Sequence, residues 1–330
     1  MAAPLLLVAF VLILGGALTF TNAVEWLGQK LDIGEGAVGS LLAAVGTAMP
    51  ETLIPIVAVL GGSEGSEDVA IGAIVGAPFL LATLAMLLVG IASHTYQDRR
   101  DQGTDLQPHE ETVGRDIVLF LVFGAIGLLL GLGTPRWLHI AFAPVMLIAY
   151  GLYVRATLEA GGDTQEEETL NPLYLHRSAG DDPSTPRVVV QFVTSLAAIF
   201  FGSELFVTEL ESVAKSIGLE VIILSLILAP LATELPEKVN SFLWTREGKD
   251  SLAMGNITGA MVFQTMVPVA FGLAATDWDL DRYAILSIVL GLAGGTVAFL
   301  ALRRRGRFPL SAMIAWTVLY ATFVVFVLVA

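Results

Sequence analysis

Two glutamates, Glu51 and Glu237, each directly follow a proline inside a long apolar stretch of the sequence. A proline inside a helix removes an amide donor and clashes with the preceding turn, so carbonyl oxygens one turn earlier lose their helical partners. Freed carbonyls are costly in a membrane unless something binds them, and a carboxylate at that depth is typically functional. Carbonyl, hydroxyl and carboxylate oxygens are the ligands of hard cations. The two stretches therefore predict a cation site.

The stretches are similar to each other: "GTAMPET" at 46–52 is echoed by "ATELPEK" at 232–238. Thr47 with Glu51, and Thr233 with Glu237, supply two matched sets of oxygen ligands, and we expect the two carboxylates to face each other. Lys238 leaves an alternative open, because it could neutralise a neighbouring glutamate as a structural pair. No catalytic residue and no cofactor are predicted.

The composition predicts a membrane protein that positions these residues. Of the 330 residues, 55% are hydrophobic, mean hydropathy is +0.77, and apolar stretches of bilayer-spanning length recur along the chain. Such long apolar stretches fit helices rather than barrel strands, so the predicted class is an all-α integral membrane protein. The ten candidate spans are 3–25, 37–61, 68–93, 116–133, 137–158, 187–213, 219–243, 251–274, 283–302 and 309–330.

The chain divides into two halves that repeat each other. "GAIVGAPF" at 72–79 is echoed by "GNITGAMVF" at 255–263, in the same order as the proline–glutamate segments. Five spans in each copy is an odd number, so the second copy must cross the membrane in the inverted sense, with the site at the repeat interface near the midplane. The predicted domains are a first repeat at 1–158, a polar cytoplasmic linker at 159–186 and a second repeat at 187–330. The glycine pairs Gly72 and Gly76, and Gly255 and Gly259, are interpreted as points of close helix packing.

Basic residues indicate the orientation. Loops after odd-numbered spans hold most of them, whereas the opposite side has only Arg136, Lys215 and Arg282. The positive-inside rule then predicts that both termini are extracytoplasmic, in a multi-pass protein of the inner or plasma membrane. The basic residues on the predicted cytoplasmic side are Lys30, Arg99, Arg100, Arg115, Arg155, Arg177, Arg187, Arg246, Lys249, Arg303, Arg304, Arg305 and Arg307.

The repeated motifs carry a resemblance that covers nearly the whole chain. A Gly-Thr-Ser-Leu-Pro-Glu segment followed by Gly-Asn-x-x-Gly-Ser-Asn, twice in inverted five-span halves, is the signature of the cation/calcium exchanger superfamily, which the sequence resembles. The resemblance implies a ten-helix fold, alternating access, and ion ligands from the second, third, seventh and eighth spans.

The sequence also departs from that signature. Ala48, Ala77 and Ala260 stand where the family has serines, and Leu81 replaces a polar residue. The remaining candidate metal ligands are Gln264, where the family has an acidic residue, and Glu234, at a serine position. Glu51, Glu234 and Glu237 could exchange protons for a metal ion if Glu234 points into the site rather than pairing with Lys238.

The leading functional hypothesis is a secondary antiporter that exchanges Ca²⁺, or another divalent cation, against Na⁺ or H⁺. The alternatives are a passive cation channel, which does not need two inverted halves with broken helices, and an ion-binding regulator that has lost transport, which flux measurements would distinguish from an antiporter. An intramembrane enzyme is disfavoured, because the sequence contains no HExxH motif and its four histidines, His94, His109, His139 and His176, lie in loops or near span ends. The expected partners are inorganic cations and the lipid bilayer, with no nucleic acid and no evident protein partner.

Overall fold

A computed structural model of the protein describes residues 2–30, 49–62, 65–160, 172–175 and 182–329. Within these ranges the chain forms helices and no strand, which confirms the predicted all-α class. A π-helical turn, Leu81–Ala85, joins α3 to α4 without a break, and a short 3₁₀ turn follows α4. The helices are α1 (Ala2–Lys30), α2 (Met49–Gly61), α3 (Ser66–Leu80), α4 (Met86–Thr95), α5 (Glu110–Leu130), α6 (Arg136–Ala160), α7 (Thr185–Ile217), α8 (Val221–Thr233), α9 (Leu235–Arg246), α10 (Asp250–Ala275), α11 (Arg282–Arg305) and α12 (Leu310–Val329).

Eight helical stretches among the described residues are long and apolar enough to cross a bilayer. Two further apolar helices, Pro50–Gly61 and Val221–Leu231, are shorter. They coincide with the second and seventh predicted spans. The first part of the second predicted span, 37–48, lies outside the described residues, and the seventh is divided between α8 and α9. The eight stretches are Pro4–Val24, Ser66–Thr95, Glu110–Leu130, Arg136–Thr157, Thr185–Ile217, Asp250–Ala275, Arg282–Arg304 and Leu310–Val327.

The seventh predicted span is broken where its proline predicts. Helix α8 ends at Thr233, Glu234 leaves the helical conformation with φ −98° and ψ 4°, and α9 starts at Leu235. Pro236 lies in the first turn of α9, where its missing amide hydrogen costs no helical hydrogen bond. In the first half, the described part of α2 runs from Met49 and carries Pro50 in its first turn, and the residues before Met49 lie outside the described ranges.

The centre of the bundle is formed by the third and eighth predicted spans. Within an apolar 18-residue window of each, 78% of the residues are buried in Ser66–Thr95 and 72% in Asp250–Ala275, against 17% in Arg136–Thr157. The exposed valines and leucines of the outer helices are expected of surfaces that face lipid. The two central helices therefore provide the rigid frame for any site between the halves.

The predicted close packing at glycines is confirmed in the first repeat. A Cβ atom on Gly72 would lie 2.7 Å from Ser225 Cβ, and one on Gly76 would lie 2.5 Å from Leu226 O, so α3 approaches α8 closely only because both residues are glycine. Among the described residues, the matching pair in α10 makes no such approach. A Cβ atom on Gly255 would meet no atom of another element within 4 Å there, and one on Gly259 would meet only the Tyr153 hydroxyl, at 3.8 Å.

Contacts between loops sort the ends of the helices onto two sides. On one side, Lys30 pairs with Asp182, Arg100 pairs with Asp250, and the Leu106 amide donates to Gly306 O at 2.8 Å. All these loops follow odd-numbered predicted spans. On the other side, Gly65 approaches Val221, the Arg282 guanidinium lies 3.8 Å from the Glu220 carboxylate, and Arg136 donates to carbonyls at the end of α10. This alternation agrees with the predicted sequence of crossings.

Candidate functional site

Four of the six predicted ligands can be located through their side chains, and all four are buried. Glu51 lies in the first turn of α2 with 6% of its surface exposed, and Gln264 lies within α10 with 3% exposed. Thr233 and Glu234, at the α8–α9 break, are 3% and 0% exposed. Thr47 lies outside the described residues. Glu237 is in the first turn of α9, but its side chain is outside the described part of the structure.

The helices that carry these residues contact one another. Helix α2 packs against α8 and α10, and α9 packs against α10. The helix of Glu51 therefore lies beside the helices of Thr233 and Gln264. Glu51, Glu234 and Gln264 come from three different places in the sequence, and the fold brings their helices to the same region of the bundle centre.

Glu234 forms an ion pair with Lys238, which is one of the two arrangements that the sequence allows. The Lys238 ammonium donates to Glu234 Oε2 at 2.5 Å, and the two side chains are 3% and 0% exposed. Residues four apart lie on one face of a helical turn, so this geometry favours Glu234 over the adjacent Glu237 as the partner of Lys238. The condition under which Glu234 could exchange a proton for a metal ion, that it does not pair with Lys238, is not met in this structure.

Two buried oxygen atoms beside this pair have no hydrogen-bond donor among the described residues. They are Glu234 Oε1 and Gln264 Oε1. The Gln264 amide also lies beside the Glu234 carboxylate, but without the geometry of a hydrogen bond. The Thr233 hydroxyl donates to Ala229 O at 3.2 Å, which leaves its lone pairs available as an acceptor. Buried acceptors without donors are uncommon, and bound cations or water are their usual partners.

Such a site must use a mixed set of oxygen ligands. Among the described side chains, no three histidine, aspartate or glutamate residues converge as a metal-binding group. Carboxylate, amide, hydroxyl and backbone carbonyl oxygens together suit Ca²⁺ or Na⁺ rather than a metal that prefers nitrogen or sulfur.

The π-helical turn Leu81–Ala85 marks a distortion of the third predicted span that the sequence did not predict. In the repeat alignment Leu81 corresponds to Gln264, so the turn begins at the level of a predicted ligand in the other half. The buried Thr83 hydroxyl donates to Phe79 O at 2.7 Å within it. Isolated π turns inside helices are frequent at functional sites. No proline or glycine within the turn signals it.

Sequence reasoning also missed the buried carboxylate of Asp116. Asp116, 1% exposed on α5, accepts a hydrogen bond from the Thr258 hydroxyl of α10 at 3.0 Å and pairs with Arg115 at 3.2 Å. The arginine also donates to the Thr157 hydroxyl of α6 at 2.9 Å. The spacing of the apolar residues around Asp116 places it on the packing face of α5, and that pattern could have identified it. Because its carboxylate is paired and hydrogen-bonded, it acts as a connection between three helices.

Comparison with known proteins agrees with this architecture. The sequence profile described as "Sodium/calcium exchanger protein" matches residues 1–158 and 187–329. A relative provisionally named antiporter CaxA, from Alkalimonas amylolytica, is 23% identical over 310 residues, with 91% of each chain covered. The fold is similar to the crystal structure of the H⁺/Ca²⁺ exchanger CAX, with a TM-score of 0.73, 18% identity, and 100% of this chain and 82% of that one covered. It is also similar to the sodium–calcium exchanger NCX_Mj, with a TM-score of 0.61, 18% identity, and 98% of both chains covered.

Proposed function

The chain belongs to the sodium/calcium exchanger protein family, and we propose that it is a secondary antiporter that exchanges Ca²⁺, or another divalent cation, against Na⁺ or H⁺ by alternating access. The family consists of exchangers of inorganic cations. The proposed function therefore includes no enzymatic reaction and no organic cofactor. The counter-ion and the mechanism are the parts that this proposal adds.

One observation carries the proposal: a helix broken beside a buried carboxylate at the centre of the bundle. The break at Glu234 separates α8 from α9 two residues before Pro236, and the buried Glu51 follows Pro50 in the first turn of α2. Broken helices in a membrane expose backbone carbonyls that coordinate cations. A dehydrated divalent ion also needs negative charge nearby, which buried glutamates supply.

We assign the role of principal ligands to Glu51 and Glu237, one from each half. Thr47, Thr233 and Gln264 contribute neutral oxygens, and Glu234 lies next to them. Two carboxylates balance the charge of one divalent ion, and neutral oxygens complete the six to eight ligands that Ca²⁺ takes.

We also propose that the fold is a ten-span inverted repeat with domains at 1–158 and 187–330, joined by the linker at 159–186. Two features support it. Gly16 of α1 and Gly202 of α7 are separated by the same number of residues as Glu51 and Glu237, and each is the point of close approach to the other helix. In addition, the fourth span of each copy packs on the third span of the other copy: α5 packs on α10, and α11 packs on α3. Equivalent helices of two repeats are expected to make such matching contacts.

The experiment that tests the function is uptake of radioactive Ca²⁺ into proteoliposomes loaded with Na⁺ or with an acidic buffer. An antiporter accumulates Ca²⁺ only while a counter-gradient is present, and the accumulation ends when an ionophore collapses that gradient. Equilibration of Ca²⁺ down its own gradient without any counter-ion would indicate a channel instead. Binding of Ca²⁺ with no flux in either condition would indicate a non-transporting regulator.

A further inference from the structure

The second repeat carries a pair of charges at positions where the first repeat is neutral. In the alignment of the two halves, Glu234 corresponds to Ala48 and Lys238 corresponds to Thr52. The second half has therefore gained an anion and a cation together, one helical turn apart. The opposite charges of Glu234 and Lys238 cancel, so each half keeps one net negative charge in this segment.

The location of the pair argues against a role in stabilising the helix. Lys238 lies near the beginning of α9, which starts at Leu235. The helix dipole places partial positive charge at this end, so an ammonium group is disfavoured there. Burying both ions, at 3% and 0% exposure, also costs desolvation that an apolar pair of similar volume avoids.

The pair does lie where a cation is expected. It is at the α8–α9 break, next to Thr233, and the Gln264 amide lies beside the Glu234 carboxylate. Glu234 Oε2 takes the ammonium at 2.5 Å, while Glu234 Oε1 and Gln264 Oε1 find no donor among the described residues. An ammonium on a flexible stem occupies the position that a monovalent cation would otherwise take beside this carboxylate.

We infer that the Lys238 ammonium is a tethered cation that permanently occupies one cation position of the binding region and neutralises Glu234. This inference rests on the proposed function for the identity of the region. Its consequence is that Glu234 contributes no net charge to the transported ions, which are balanced by the carboxylates of Glu51 and Glu237. The protein then binds one monovalent cation fewer than a relative with the same carboxylates and no lysine.

Removing the lysine should create a site for a free cation. In Lys238→Met, the Glu234 carboxylate loses its internal partner, and Na⁺ is expected to take its place. The test is the thermal stability of the purified full chain in detergent across a series of NaCl concentrations, with choline chloride keeping the ionic strength constant. Above the dissociation constant, each tenfold rise in Na⁺ should raise the folding equilibrium constant of the variant about tenfold more than that of the wild type.

The matched variants separate this role from a structural one. The double variant Lys238→Met with Glu234→Gln has no uncompensated charge and should lose the added Na⁺ dependence. Arg155→Met is the control, because Arg155 forms an exposed ion pair with Glu159, at 2.8 Å and with the same four-residue spacing. Its stability should respond to Na⁺ as that of the wild type does. Equal Na⁺ dependence in Lys238→Met and in the wild type would overturn the inference, because a purely structural pair loses stability without gaining an ion.

The single variant Glu234→Gln provides a second measurement if Lys238→Met does not fold. It leaves the ammonium without its anion, and the stabilisation by added CaCl₂ should need at least about tenfold more Ca²⁺, since the uncompensated cation repels it. An unchanged Ca²⁺ response would contradict the tethered cation. Neither measurement requires transport, so an absence of Ca²⁺ flux in the wild-type protein would reject the antiporter proposal while the Na⁺ series still decides the role of Lys238.

Discussion

Arg100 and Asp250 form a fully buried, two-point ion pair that joins the loop after α4 to the start of α10. Nη1 lies 2.9 Å from Oδ1 and Nη2 lies 2.9 Å from Oδ2, and the side chains are 0% and 1% exposed. Asp250 also accepts from the Gln102 amide at 3.2 Å and from the Gln107 backbone amide at 2.9 Å. The pair therefore connects the two proposed halves on the side that is predicted to be cytoplasmic.

Breaking this pair should strongly destabilise the protein. Asp250→Asn leaves the Arg100 guanidinium buried without its anion, and the expected cost is about 3 to 5 kcal/mol of unfolding free energy. Asp105→Asn is the matched control in the same loop, because Asp105 is exposed and lies 3.7 Å from the Arg307 guanidinium; its expected cost is at most about 1 kcal/mol. Thermal unfolding in detergent measures both, and equal losses would show that the buried pair contributes nothing special.

Neutralising either principal carboxylate should remove cation transport. Glu51→Gln and Glu237→Gln keep the volume and one oxygen, but each removes a charge that a dehydrated divalent ion needs. We expect Ca²⁺ flux to fall by at least about tenfold, equivalent to about 1.4 kcal/mol of binding free energy. Glu204→Gln, at an exposed position of α7, is the control and should transport normally. Near-normal flux in either folded site variant would reject the assignment.

The features that could be predicted from the sequence are those with a local physical cause. The break in the seventh predicted span follows from Pro236, and the burial of Glu51 follows from the apolar residues around it. The pairing of Lys238 with Glu234 rather than with Glu237 could have been predicted as well. Side chains four residues apart lie on the same face of a helix, whereas those of adjacent residues point in different directions.

The features that could not be predicted depend on tertiary packing. The π-helical turn Leu81–Ala85 contains only leucine, alanine and threonine, which are compatible with an ordinary α-helix. Arg100 lies in a loop and Asp250 is the first residue of α10, far away in the sequence, and each looks like an ordinary surface charge until the fold brings them together. Similarly, the sequence does not show that Glu234 Oε1 and Gln264 Oε1 are buried without a donor among the described residues, because this depends on how three helices pack together.

Labelling should place the linker and the loop after α2 on opposite sides of the membrane. The basic residues predict a cytoplasmic linker, and the loops in contact with each other show the same division into two sides. Ser178→Cys should react with an impermeant maleimide only from the cytoplasmic face, and Ser63→Cys only from the outer face; both residues lie outside the described ranges. The reverse pattern would invert the proposed orientation while leaving the pairing of the loops intact.

Stability at the predicted outer side should depend on the protonation of Asp281. Partial burial raises the pKa of this carboxyl above its ordinary value, and the nearby Glu220 carboxylate raises it further, although a hydrogen bond from the Ala284 amide opposes the change. Because the pKa is higher in the folded than in the unfolded state, the charged form costs stability at neutral pH, and that cost disappears as the pH falls below the unfolded value.

Asp281→Asn should therefore melt at a higher temperature than the wild type near neutral pH, since asparagine keeps the helix cap and removes the charge. The difference should shrink as the pH falls towards the ordinary range of aspartate. Asp279→Asn, at an exposed position of the same loop, is the control. A difference in melting temperature that does not change with pH would show that the charge of Asp281 is not the cause.

Calcium transport should depend less on Na⁺ than the family resemblance alone implies, and H⁺ should replace Na⁺ as a coupling ion. Because Glu234 pairs with Lys238, the carboxylates expected to exchange the proton are Glu51 and Glu237. A bound Na⁺ needs several oxygen ligands, and Ala48, Ala77 and Ala260 offer methyl groups where the signature has hydroxyls. The backbone carbonyls beside Pro50 and Pro236, with Thr47, Thr233 and Gln264, are the competing source of Na⁺ ligands.

Efflux of Ca²⁺ from proteoliposomes at fixed pH separates these two possibilities. Weak dependence on external Na⁺, together with loss of efflux when a protonophore collapses the proton gradient, is the expected result. The triple variant Ala48→Ser, Ala77→Ser and Ala260→Ser restores the hydroxyls and should increase the Na⁺ dependence, because serine oxygens supply ligands that alanine cannot. A steep Na⁺ dependence of the wild-type protein that survives the protonophore would establish that the carbonyl, threonine and glutamine oxygens already build the Na⁺ sites.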